Sequence, residues 1–199
     1  MKKLRYGNTN TFFLEGSNGG LLIDTDYAGT LPAFFRSIKA AGITVRDISY
    51  VMATHYHPDH MGLIPELMEM GVRLLLIETQ REYVHFSDRI LMKEPALRYK
   101  PIDESQAMII SCEESRSILD GLGIEGEIIS TPSHSADSVS VMLDNGECFV
   151  GDLENEAVIS GYESNEALKN DWDRVMSFQP QQIFYAHTNE TKCSYEPKE

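Results

Sequence analysis

Basic residues are scarce in this 199-residue chain: 17 Lys and Arg stand against 31 Asp and Glu, a formal charge of −14. A surface of that sign repels polyphosphate backbones, which argues against a nucleic-acid partner. Cysteine is scarce too. Cys112, Cys148 and Cys193 are scattered, which suits a reducing compartment better than a disulfide framework. No apolar run approaches the roughly 18–20 residues that cross a bilayer, so no membrane partner is expected. The opening MKKLRYGNTNTFFLEG has a basic pair but no long apolar stretch behind it. This predicts no signal peptide and a cytoplasmic protein. Repeats, low-complexity tracts and linkers are also missing, and the length suits one domain over 1–199.

What the chain does have is material for a core, since 42% of its residues are hydrophobic. The spacing predicts strands over 11–14 and 20–24, joined by a Ser-Asn-Gly-Gly turn. A helix is predicted over 31–41, with Pro32 near its start and Gly42 after its end. A buried strand over 48–53 precedes a helix over 61–70 and a strand over 73–77. The charged stretch 79–100 reads as helix plus loop, a candidate lid. Strands over 107–111, 127–130, 138–143 and 147–150 follow, the last two flanking the hairpin signal Asp144-Asn145-Gly146. Helices are predicted over 113–122 and 165–178, and a final strand over 182–185. Periodicity alone reaches a mixed α/β domain.

The polar residues at the strand ends form a pattern. THYHPDH puts His55, His57, Asp59 and His60 straight after the 48–53 strand. His134 follows another strand in TPSH, Asp152 follows in VGDL, and His187 follows in YAH. Asp24 closes LIDTD. Five of the six histidines thus sit just past an apolar strand, where sheet proteins place their sites. Neutral imidazoles and carboxylates suit zinc, iron or manganese. An H-x-H pair on extended backbone points both rings to one side. Asp59 and His60, on the turn into a helix, can face a second ion, and a carboxylate such as Asp152 can bridge two.

With these motifs in this order, from about residue 10 to 187, the chain resembles the metallo-β-lactamase-fold metallohydrolases, whose H-x-H-x-D-H signature is here HYHPDH. The resemblance implies a four-layer αββα sandwich. It assigns His55, His57 and His134 to one metal and Asp59, His60 and His187 to another, with Asp152 between them. It makes Asp24 a buried acid that orients the ligand loop. Ser133, Asp137, Ala186, Thr188 and Leu63 stand where glycine is common, which argues against the glyoxalase II and lactonase branches.

The implied chemistry is hydrolysis of a small ester, thioester, lactone, amide or phosphoester. A hydroxide held between two divalent ions about 3.5–4 Å apart, zinc ahead of iron or manganese, is the attacking group, and Asp59 is the catalytic proton carrier. A non-haem di-iron oxygen-binding or redox protein is the alternative. Oxygen-reducing relatives commonly carry Glu where His57 stands, which favours hydrolysis. Metabolite binding without turnover is a third reading, which the complete ligand set opposes. Substrate contacts are expected from 79–101 and 153–165. Among the remaining residues, His85 reads as a surface or helix residue. Tyr56 is expected to pack beneath its loop and Cys148 to be buried and inert. Phe34, Phe35, Met68 and Met70 are expected in the core.

Overall fold

Leu21 and Leu22 are both fully buried, yet they enter different cores. A strand between two covered faces requires this, because its side chains alternate. In the computed structural model, which describes residues 1–156 and 165–194, that strand lies inside a six-stranded sheet. The sheet comprises β1 (Lys2–Arg5), β2 (Asn10–Glu15), β3 (Gly20–Ile23), β4 (Ile48–Met52), β5 (Arg73–Ile77) and β6 (Met108–Ile110), side by side in that order. The first three are antiparallel neighbours, and the pairings from β3 to β6 are parallel. A second sheet holds β7 (Gly126–Ser130), β8 (Val139–Leu143), β9 (Glu147–Phe149), β10 (Gln182–Phe184) and β11 (Thr191–Lys192), in the spatial order β11-β10-β9-β8-β7.

Three apolar cores separate four layers. On the outer side of the first sheet, Leu22, Val51, Leu74 and Leu76 pack with Phe34 and Ile38 of α1 (Leu31–Ala40). The same core takes Met61 of α2 (Pro58–Met61), Leu67 of α3 (Ile64–Glu69) and Leu91 of α4 (Asp88–Leu91). Between the sheets, Leu21, Ile23, Tyr50, Met52, Leu75 and Ile77 meet Ile128, Val141, Phe149 and Phe184. Leu119 and Leu122 of α5 (Cys112–Leu122) join that core. Outside the second sheet, Ile129, Met142, Cys148 and Ile183 pack on Leu168, Trp172 and Val175 of α6 (Glu166–Ser177). This is the αββα sandwich of the metallo-β-lactamase fold. No helix among the described residues is long and apolar enough to cross a membrane.

Several local expectations need correction. The helix expected over 61–70 is two, because α2 ends at Met61 and α3 begins at Ile64. Gly62 and Leu63 bend the chain between them. A Cβ on Gly62 would come within 2.2 Å of the Ala28 backbone nitrogen, so the close approach there admits only glycine. The stretch 79–100, expected as helix plus loop, holds α4 and short 3₁₀ turns joined by loop. Phe35 and Met70 are exposed, whereas Phe34 is buried and Met68 packs at the core edge. Strands β1 and β11 were not expected at all: KKLR has one buried side chain and TK has none.

Candidate metal centre

The candidate ligands sit past the C-terminal ends of β4, β7, β9 and β10, and Asp24 past that of β3, where backbone loops leave both sheets at one edge of the sandwich. Seven side chains named in the sequence meet there. Nε2 of His55 lies 2.9 Å from Nδ1 of His57, and Nε2 of His134 lies 3.4 Å from that same Nδ1. A second group comprises Asp59, His60 and His187, with Nε2 of His187 3.3 Å from Oδ2 of Asp59. Asp152 stands between the groups. Its Oδ2 is 3.9 Å from His55 Nε2 and 3.7 Å from His134 Nε2, while its Oδ1 is 3.4 Å from His60 Nε2 and 3.2 Å from His187 Nε2.

Each motif is held by groups that the sequence signature does not contain. Asp24 is fully buried at φ 58°, in the left-handed region. Its carboxylate accepts from the Thr54 backbone N–H at 2.6 Å and from the Thr54 hydroxyl at 3.0 Å. Its Oδ2 also lies 3.1 Å from Nδ1 of His60, so the ring gives that nitrogen to Asp24 and turns Nε2 to the centre. Asp137, buried, accepts from the Tyr56 N–H at 2.7 Å. The Gln80 amide donates to the carbonyls of Ala53, Thr54 and Asp137. The HYH segment is thereby pinned along its length. Tyr56 packs beneath it in the outer core.

The opposite wall is fixed by Asn8, Thr9 and Asn10. Nδ1 of His187 faces the Asn8 carbonyl at 3.3 Å, and the Thr9 hydroxyl donates to the Asp59 carbonyl at 2.8 Å. Asn10 donates from Nδ2 to the carbonyls of Tyr185 and Thr188, straddling His187. Asp26 in turn accepts from the N–H groups of Asn8, Thr9 and Tyr27. On the remaining side the Ser133 N–H donates to buried Asp171 of α6 at 2.7 Å, which steadies the loop of His134. Sequence reasoning missed Asn8, Thr9, Asn10, Asp26, Gln80 and Asp171. The available signal was polar residues at the start of an apolar strand, since Thr9, Asn10 and Thr11 are all buried.

The electrostatics favour a cation in the middle. His55 is buried and its ring centroid lies 4.1–4.8 Å from those of His60, His57 and His134. Burial first, then the neighbouring imidazoles, push its pKa far down. Burial likewise lowers that of His134. These rings are neutral, the form that ligates. Burial opposes charge on His60, but Asp24 and Asp152 outweigh it and push the pKa up to about 10. Burial works against the Asp152 carboxylate as well, yet the facing histidines hold its pKa well below the usual range. His60 Nε2 and Asp152 Oδ1 are nonetheless buried without a hydrogen-bond partner. The two atoms face each other at 3.4 Å, a loose pair that leaves both incompletely satisfied in a protein alone. Divalent ions would satisfy both, and the N/O donor set fits them.

His85 is exposed, pairs with Asp88 at 2.8 Å and belongs to neither cluster. Cys148 is fully buried, and burial raises its thiol pKa, which leaves it unreactive. A cavity of about 700 Å³ opens beside His134, Asp152 and His187 and runs along Leu153, Tyr185 and Thr191. Of the second expected substrate loop, 157–164 lies outside the described residues.

The sequence profile of the metallo-beta-lactamase superfamily matches residues 4–187. The lactamase-like protein nscB of Trichophyton equinum is 30% identical over 72% of this chain and 37% of its own length. The atrochrysone carboxyl ACP thioesterase of Aspergillus fumigatus is 29% identical over 72% of this chain and 29% of its own length. The chain thus spans about a third of these curated relatives. Among solved structures, a metallo-beta-lactamase family protein of Thermus thermophilus superposes with TM-score 0.70 at 20% identity, over 92% of this chain and 70% of that one. TTHA1623, solved in a di-iron-bound form, superposes with TM-score 0.68 at 20% identity, over 96% and 94%.

Proposed function

The chain belongs to the metallo-beta-lactamase superfamily, and on that premise we propose that it is a dinuclear metal-dependent hydrolase of a small ester, thioester, lactone, amide or phosphoester. The observation that carries this is Asp152, whose two carboxylate oxygens face separate imidazole clusters, with His60 Nε2 and Asp152 Oδ1 buried 3.4 Å apart and without a well-formed hydrogen bond. One ion would be held by His55, His57, His134 and Asp152 Oδ2, the other by Asp59, His60, His187 and Asp152 Oδ1. Divalent ions in such a pair supply Lewis acidity and ionised water at neutral pH.

The chain's own part is orientation and proton traffic. Asp24, through His60 Nδ1, keeps that ring's Nε2 free of a proton once an ion is present. The Asn8 carbonyl does the same for His187. Asp59 Oδ2, partly open to solvent beside His187, takes a proton from the attacking water and passes it to the leaving group. The thioesterase relative supports the thioester among these substrate classes.

A second reading, a di-iron oxygen-binding or redox protein, is supported by the iron-loaded structural neighbour with the same fold. Elemental analysis of natively purified protein, followed by a thioester, lactone and phosphodiester screen with and without chelator, separates the two. Zinc with chelator-sensitive turnover supports hydrolysis. Iron with a visible absorption band and no turnover supports the redox reading.

A further inference from the structure

Phe86 is the most exposed large apolar side chain among the described residues, at 61%. It is also held in place. Ser87, fully buried, donates its hydroxyl to the Tyr56 carbonyl at 2.6 Å, which is the peptide between His55 and His57. The Phe86 N–H donates to the Tyr83 carbonyl at 2.8 Å. The result sets the Phe86 ring 6.1 Å from the His57 ring, at an interplanar angle of 36°. One turn further, where the Ile90 N–H meets the Ser87 carbonyl, Ile90 is exposed too, at 53%.

A scattered exposed apolar residue is ordinary. Phe86 differs because a buried hydroxyl ties its neighbour to the backbone between two candidate ligands, which anchors the Phe86 backbone beside His57 with its ring 6.1 Å from the imidazole. Water gains nothing from a phenyl ring at that spot, whereas an apolar group in a bound substrate does. We propose that Phe86 is a specificity-determining residue: its ring walls the mouth of the centre beside His57 and receives the apolar or aromatic acyl group of the substrate. This rests on the hydrolase reading. In the reaction concerned, water adds to the acyl carbon, the acyl–sulfur or acyl–oxygen bond breaks, and the products are a carboxylic acid and a thiol or alcohol.

The test uses the metal-loaded full chain with acetyl, hexanoyl and benzoyl thioesters of N-acetylcysteamine. Wild type prefers hexanoyl and benzoyl over acetyl. Phe86→Ala lowers kcat/KM for those two by about tenfold through KM and leaves acetyl unchanged, Phe86→Leu restores part of the preference, and Met70→Ala, an exposed change elsewhere, leaves it intact. Calorimetry with the non-hydrolysable S-hexyl thioether of N-acetylcysteamine gives about tenfold weaker binding to Phe86→Ala. An equal loss on all three thioesters would make Phe86 a mere support for His57 and overturn the proposal, as would no loss at all. If wild type with metals bound turns over none of them, the thioester part of the hydrolase reading fails, while Phe86-dependent thioether binding still supports an apolar wall.

Discussion

Nδ1 of His60 lies 3.1 Å from Oδ2 of Asp24, a residue held in left-handed backbone at the end of β3. One buried acid therefore fixes which nitrogen of a candidate ligand faces the centre. Asparagine tolerates the same backbone, so Asp24→Asn should fold. Its amide N–H would donate to His60 Nδ1 and drive the ring proton to Nε2. Metal affinity, measured by competition with a chromophoric chelator, should fall about 10–100-fold. Unchanged affinity would contradict the orienting role.

The two clusters should be separable. His187 belongs to the second group alone, and its side chain is 36% exposed, so His187→Ala should not disturb the core. Under conditions where wild type retains two ions after desalting, this variant should retain about one, because the first group and Asp152 Oδ2 are intact. Two tightly held ions in His187→Ala would show that the grouping is wrong.

Gly151 precedes Asp152 at φ 58°, and a Cβ there would lie 2.4 Å from the Thr54 hydroxyl oxygen. Gly151→Ala must strain the backbone by about 1–2 kcal/mol and push against the hydroxyl that Asp24 holds. Both a lower Tm and weaker metal binding should follow in the same variant. A silent substitution would mean that the Thr54–Asp24 contact does not matter to the centre.

The convergence of the histidines was legible because a metal centre would demand such side chains at strand ends, and HYHPDH brings three of them together locally. Strands β3, β4 and β5 were legible because two covered faces leave continuous apolar runs such as GLLI and RLLLI. What sequence could not give was anything settled by contact across the chain. The charged KKLR becomes a strand only because β2 lies beside it. Gln80 and Asp171 carry no local pattern; they matter because the fold brings them under loops 26–57 residues or 38 residues away. Asp137 drew notice as a replaced glycine, but its value lies in the Tyr56 N–H it accepts.

That last contact is measurable in isolation. Asp137→Ala would leave the buried Tyr56 N–H without its acceptor, a loss of about 1–3 kcal/mol. Urea unfolding of metal-free protein should report it as a lower midpoint with an unchanged slope. No change would mean that water or another group serves the N–H equally well.

Anomalous scattering at the metal absorption edges, from crystals of protein purified without added metal, tests the central claim most directly. Two peaks on either side of Asp152, one against His55, His57 and His134 and the other against Asp59, His60 and His187, are the result expected. No peak, or a single ion bound away from Asp152, would contradict it.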